Sequence, residues 1–349
     1  MSIKALIVDD SLFMRTLVSD MLNSDPEIEV VDTAKNGKEA VDKIPKARPD
    51  CVTLDLAMPG WDGLTTLKHI MNECPVPVVI LSAYSKRDSD ITIRCLEVGA
   101  VGFVLKPSGE LSLDIENVKH QLLEEVKAAS KIEIKKLKSL TAKRPKRRGR
   151  KLVGVNKIIV IGASTGGLQT LESILLSLPT DFPSPIIVVQ HLPNMFFTES
   201  LAERLNRDCE LTVKVAESNE IIQAGKVYIA PGGSHMTLAS LPNREVTPWI
   251  KEATSDSLTP SVDLAMQSVA KIFDGHTVGI ILSGMGCDGR EGMKAIKESG
   301  GETIVQDESS LIFGMPKAVI DAGFADKVLP ANKIAGAMME CVSQESINV

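Results

Sequence analysis

The sequence predicts an α/β protein made of two doubly wound parallel sheets. Three observations carry that expectation. Short β-branched runs bounded by Gly, Pro or Asp alternate with amphipathic stretches along the chain. A length of 349 residues suits about two domains. A break in charge separates the halves: residues 131–151 hold eleven Lys or Arg against one acid, Glu133, in a chain of net charge −6.

In the first half, strands are expected at residues 4–8, 29–34, 51–54, 78–81 and 102–105. Helices are expected between and after them at 11–22, 37–44, 63–71, 89–97 and 112–127. Right-handed crossovers then bring the C-terminal ends of all five strands to one edge. The basic run "KRPKRRGRK" reads as a solvated tether. The expected division is residues 1–125, a linker at 126–152 and a second domain at 153–349. In the second domain strands are expected at 157–161, 185–190, 211–215, 226–230, 277–282 and 302–306. Helices are expected at 167–178, 198–206, 261–273, 290–299, 315–321 and 330–342.

Composition narrows the function. Apolar residues at 44% argue against disorder, and aromatics at 3% argue against a nucleic-acid surface built on stacking rings. The longest apolar runs, 158–161 and 278–282, fall far short of the roughly 20 residues of a membrane span. No apolar leader precedes Asp9 and Asp10, and the six cysteines form no CxxC pair. A cytoplasmic protein is expected, without membrane insertion, nucleic-acid partner, structural zinc or disulfides.

Asp9 and Asp10 end the first expected strand and Asp55 the third, so three carboxylates can meet at one crevice. Such a group suits a hard cation, Mg²⁺, that keeps sites open for water and phosphoryl oxygens. Ser82 and Lys106 end the fourth and fifth strands and can supply a hydroxyl and a point charge to a phosphoryl group. "IVDDS", "LDLAMPGWDG", "ILSAYS" and "GFVLKP" resemble the receiver domain of two-component response regulators over about residues 3–125. The resemblance implies a flavodoxin-like fold. It makes Asp55 the phosphoacceptor, Asp9 and Asp10 its companions in holding Mg²⁺, Ser82 and Lys106 the phosphate-sensing groups, and Phe103 an aromatic switch.

In the second half, "KIIVIGASTGG" runs from a strand through a Gly-rich turn into a helix. Its G-x-S-x-G can hold Ser164 on a tight turn beside a helix N-terminus that favours developing negative charge. A dinucleotide loop fits poorly: Ser164 occupies its second glycine position, and Gln190-His191 stands where the ribose-binding acid belongs. His191 follows the neighbouring strand on the same sheet edge, with His235 as a second candidate base. Asp288 or Asp307 could orient it. His276 falls on the opposite edge, and His69 and His120 read as surface residues of first-domain helices.

"GASTGG", "QHLP", "APGGSHM", "LSGMGCDG" and "QDESSLIFGMP" resemble the blocks of chemotaxis protein-glutamate methylesterases. With the receiver, that resemblance spans nearly the whole chain outside the linker. It implies a Rossmann-like hydrolytic domain in which Ser164 is the nucleophile, His191 the base and Asp288 the orienting acid. Thr165 and Met285 serve the oxyanion and substrate site, and His235 lines the cleft. The implied substrates are γ-methyl esters of glutamate on chemoreceptors, with glutamine deamidation at the same sites in some members. The phosphodonor is a chemotaxis histidine kinase, and ester hydrolysis needs no cofactor.

Overall fold

The computed structural model describes residues 2–107, 115–133, 135, 157–243, 245–253 and 258–343. The chain divides into two compact units, Met1–Thr141 and Ala142–Val349, each described here by itself. Most of the basic tether lies outside the described residues.

In the first unit strands and helices alternate: β1 (Ile3–Val8), α1 (Leu12–Asn23), β2 (Ile28–Ala34), α2 (Gly37–Ala47), β3 (Cys51–Asp55), α3 (Gly63–Glu73), β4 (Val78–Ser82), α4 (Lys86–Val98), β5 (Gly102–Leu105) and α5 (Ile115–Ser130). The sheet runs β2-β1-β3-β4-β5 with every neighbouring pair parallel. Helices cover both faces, so β3 and β4 are buried along their whole length and read in sequence as continuous apolar runs. Ser11, Asn36, Asp62 and Ser85 cap α1 to α4, each accepting a backbone N–H from three residues on. The chain switches direction of winding between β1 and β3, which opens a crevice at their C-terminal ends. His120 is exposed as expected. His69 is not a free surface residue, because its ring stacks on Trp61 with centroids 3.9 Å apart.

The second unit holds a seven-stranded parallel sheet of β6 (Ile158–Ala163), β7 (Ile186–Gln190), β8 (Thr212–Val215), β9 (Lys226–Ile229), β12 (Thr277–Ile281), β13 (Glu302–Gln306) and β14 (Lys327–Leu329). Its order is β14-β13-β12-β6-β7-β9-β8. Helices α6 (Leu168–Leu175), α7 (Met195–Asp208), α8 (Val262–Phe273), α9 (Arg290–Glu298), α10 (Met315–Asp321) and α11 (Ala331–Ser343) pack around it. From β6 the chain winds first toward β7 and later returns on the other side to β12. The C-terminal end of β6 is therefore the switch point of this sheet.

Several features depart from expectation: α4 starts three residues early, behind its Ser85 cap, and α5 runs to Ser130, into the stretch expected as linker. An antiparallel ribbon, β10 (Ser234–Ser240) with β11 (Val246–Glu252), stands apart from the main sheet. Pro248 in "VTPWIKE" reads against a strand, but a two-stranded ribbon tolerates it at an outer edge, where its carbonyl accepts the Asn219 N–H. Trp249 on this ribbon is 59% exposed. Helix α7 starts three residues earlier than the apolar spacing suggests, because Asn194 caps it by accepting the Phe196 N–H. The three-residue β14 is too short to show a period of its own. Among the described residues no helix is long and apolar enough to cross a membrane.

Ile80 is fully buried in the centre of β4. Replacing it with alanine is expected to cost about 2–5 kcal/mol through lost transfer energy and a residual cavity. Urea unfolding followed by circular dichroism should show that loss as a lower midpoint with an unchanged slope.

Candidate active site

Ser164 sits directly after β6 on a turn that several hydrogen bonds fix. Its N–H donates to the Ser283 carbonyl at 3.0 Å, and its own carbonyl accepts the Gly167 N–H at 2.9 Å. Gly166 has φ +72°, and a Cβ there would stand 2.7 Å from Leu311 Cβ, so only glycine fits. Ala163 pairs in register with Gln190, so Ser164 and His191 each follow the last paired residue of adjacent strands. The His191 N–H donates to Ala163 O at 3.0 Å, holding that register past the strand ends.

His191 Nε2 lies 2.9 Å from Asp288 Oδ2, with side chains 8% and 11% exposed. Asp288 comes from the loop after β12 and meets the N-terminus of α8. It accepts the N–H of Val262 at 2.8 Å, of Asp263 at 2.9 Å and of Gly289 at 3.0 Å. Burial works to raise the Asp288 carboxyl. The hydrogen bond from His191 and the backbone donors of Asp263 and Val262 outweigh it and hold the group below the usual carboxylate range. An ionised Asp288 takes the imidazole Nε2–H as a donor, which leaves Nδ1 as the basic ring nitrogen. Among the described residues Ser164 Oγ has no hydrogen-bond partner, so the structure brings His191 and Asp288 into contact but not Ser164 and His191. Such contacts are often open before substrate binds.

The other expected residues gather around the same edge. Thr165 and Met285 are half-buried, the first on the turn itself next to Ser164 and the second on the loop after β12. His235 Nδ1 accepts the Ser261 N–H at 3.3 Å, just before α8. Asp307, the other candidate acid, turns its Oδ1 to the Ser309 N–H at 2.8 Å and so caps its own loop. Sequence reasoning missed Ser283 and Gln190. The Ser283 hydroxyl donates to Thr165 O at 2.9 Å and accepts the Ile312 N–H at 2.9 Å, while its N–H donates to buried Gln306 Oε1 at 3.0 Å. The Gln190 amide donates to Ser164 O at 3.2 Å. A polar residue at the end of an apolar strand was the available signal for both.

The first unit carries its own cluster. Ligand oxygens of Asp9, Asp10 and Asp55 lie within 4.8 Å of one another. Lys106 Nζ sits 2.8 Å from Asp9 Oδ2 and 2.8 Å from Asp55 Oδ1. Burial pushes the Asp9 carboxyl up, more than its hydrogen bond to Lys106 brings it down, and the nearby Asp55 adds to the rise. Burial alone would lower the Lys106 ammonium, but Asp55 and Asp9 reverse that and raise it. An all-oxygen, carboxylate-rich set with one exposed member, Asp10, fits Mg²⁺ with open water positions. The Ser82 hydroxyl turns to its own segment: it donates to Ala83 O at 3.3 Å and lies 2.9 Å from Thr92 Oγ1. Its carbonyl accepts the Lys106 N–H at 2.8 Å, tying the ends of β4 and β5 together. Phe103 is half-buried on β5. Arg15, one turn into α1, was also missed; its guanidinium donates to the carbonyls of Asp9 at 2.8 Å and Asp10 at 3.0 Å.

Two parallel sheets of these orders, each with its polar groups at a switch point, are the design of a receiver followed by an α/β hydrolytic domain. Residues 159–338 match the family model described as CheB methylesterase, and residues 5–115 match the response regulator receiver domain. A relative from Halalkalibacterium halodurans, named protein-glutamate methylesterase/protein-glutamine glutaminase, is 43% identical over 341 residues, covering 97% of each chain. One of the same name from Thermotoga maritima is 41% identical, covering 97% of this chain and 98% of its own. The crystal structure of the Thermotoga maritima CheB methylesterase catalytic domain matches 54% of this chain and 100% of its own, at 45% identity and TM-score 0.52. The chain belongs to the CheB methylesterase family and carries a receiver domain ahead of its methylesterase domain. It is accordingly an enzyme, a carboxylic ester hydrolase.

The raised Asp9 carboxyl has a definite sign. A folded pKa above the unfolded value costs stability above the unfolded value, and that cost fades as pH falls through the window between them. Asp9→Asn is therefore expected to match or exceed the parent's melting temperature at neutral pH in metal-free buffer. Mg²⁺ should raise the melting temperature of the parent and not of the variant; calorimetry with and without the ion checks both.

Proposed function

We propose that this chain removes γ-methyl groups from glutamyl side chains of chemoreceptors, releasing methanol, and that phosphorylation of its receiver domain accelerates the reaction. In this reading residues 1–125 form the phosphoacceptor domain together with the last turn of α5, which carries it to Ser130, the residues from there to 152 are a tether, and 153–349 form the catalytic domain. The enzyme works in the cytoplasm, where a chemotaxis histidine kinase supplies the phosphoryl group. The observation that carries the catalytic part is the hydrogen-bonded His191–Asp288 pair at the sheet edge beside Ser164.

Ser164 Oγ attacks the ester carbonyl as His191 takes its proton at Nδ1, the nitrogen left basic by the bond from Nε2–H to Asp288. Asp288 fixes the ring and stabilises the imidazolium. The Ser164 N–H is already given to Ser283 O, so the oxyanion needs other donors. The Met285 backbone on the loop after β12 and Thr165 beside Ser164 on the turn fill that role, and one such donor is typically worth about a hundred- to a thousand-fold in rate. The imidazolium then returns its proton to the departing methoxide. Water, activated by the same His191 nitrogen, hydrolyses the acyl-serine to free glutamate. A glutaminyl side chain could form the same acyl-serine and release ammonia, in keeping with the second activity in the relatives' printed name.

In the first domain an Asp55 carboxylate oxygen attacks the phosphorus of the kinase's phosphohistidine as its N–P bond breaks and the imidazole leaves. Asp9, Asp10 and Asp55 are the residues that would hold Mg²⁺, which would neutralise charge on the transferred phosphoryl oxygens. Lys106 then exchanges its bond to Asp55 for one to the phosphoryl group, and Ser82 leaves Thr92 to donate its hydroxyl to it. The movement of Ser82 draws Phe103 inward.

The test is release of labelled methanol from methylated receptor membranes. Ser164→Ala is expected to lower kcat by about a million-fold, to the rate left by binding and oxyanion contacts. Asp55→Asn is expected to abolish the rate increase that a small phosphodonor gives the parent. Undiminished hydrolysis by Ser164→Ala would falsify the nucleophile assignment. A parent rate unmoved by phosphodonor removes the regulatory half.

A further inference from the structure

Helix α9 follows the Asp288 loop directly, and its N-cap position is Gly289, which has no side chain to offer. One of its first-turn amide donors, that of buried Gly292, finds a partner on the neighbouring helix instead. Asp263, in the first turn of α8, accepts the Gly292 N–H through Oδ1 at 2.7 Å. The exchange runs both ways, since Asp288 caps the start of α8 by accepting the N–H groups of Val262 and Asp263. Each helix thus receives its capping carboxylate from the segment that begins the other. The two helices lie close enough that a Cβ on Gly292 would stand 2.5 Å from Met266 Cβ, so the crossing allows little slack.

We propose that Asp263 is a positioning residue for the hydrolysis: by capping α9 it anchors the loop that presents Asp288 to His191. The proposal rests on the methylesterase reading above and adds a group to its machinery that does not touch substrate. Asp263 and Asp288 form a closed ring of contacts. The Asp263 N–H holds Asp288, Asp288 precedes α9, and α9 returns the Gly292 N–H to Asp263. Loss of the Asp263 carboxyl opens the ring at the link to Gly292, since the N-cap Gly289 offers no side chain of its own. Burial pushes the Asp263 carboxyl up and the adjacent Asp288 adds to the rise, so the residue sits where a carboxylate is electrostatically disfavoured. That placement suits a residue kept for geometry.

The experiment uses the full chain and methylated receptor membranes, with rates normalised to folded protein by circular dichroism. Asp263→Ala, which removes the acceptor, is expected to lower kcat by up to about a hundredfold and leave KM unchanged. Asp263→Asn keeps an oxygen for the Gly292 N–H and is expected to restore most of kcat. Asp263→Glu, whose extra methylene displaces the carboxyl, is expected to fall with the alanine variant, and it stands in should that variant not fold. Parent-like kcat in both Asp263→Ala and Asp263→Glu, with only the melting temperature lowered, overturns the inference. So does a loss that Asn fails to restore. A parent that releases no methanol condemns the methylesterase reading; an active parent with equally active variants condemns this proposal alone.

Discussion

The hydrogen bonds converging on the Asp288 carboxylate organise the catalytic half of this molecule. One residue accepts from an imidazole, from two amides at the start of α8 and from the amide of Gly289. A buried carboxylate is costly unless such donors surround it, and here they hold it ionised. Its charge favours the His191 tautomer that donates from Nε2, so the orientation of that ring is tied to where α8 begins.

The two units treat their carboxylates in opposite ways. Asp288 is surrounded by donors and needs no ion. Asp9 and Asp55 share a single ammonium, with a third acid close by, and Asp9 remains disfavoured as an anion. The first arrangement is finished and rigid. The second is short of positive charge, and its carboxylate oxygens fit a hard cation. The same sheet design, with polar groups at a switch point, holds a hydrogen-bonded His–Asp pair in one unit and an uncompensated carboxylate cluster in the other.

Much of this was legible in the sequence because strand ends are. Asp9, Asp55, Ser82, Lys106 and Ser164 each follow an apolar run directly and His191 follows one after Gln190, so parallel winding alone assigns them to an edge. Asp288 lies farther out in a glycine-rich loop, and the residues could not separate it from Asp307; the resemblance to a family chose between them. What stayed hidden depends on tertiary contacts. Ser283 and Gln306 look like ordinary strand-end polar residues until the three segments they join are in place. Asp263 looks like a first-turn acid for its own helix, whereas its oxygen serves the next one. The β10–β11 ribbon was missed because Pro248 argues locally against a strand, and only its outer-edge setting removes the conflict. Trp61 gave no sign that it would cover His69.

The chain's two indoles fall one to each unit. Trp61 is pressed face to face on an imidazole with an ammonium 5.7 Å from its ring, while Trp249 is 59% exposed on the ribbon. The two settings differ enough that the intrinsic fluorescence of each unit is expected to be separable by wavelength and intensity, without any label.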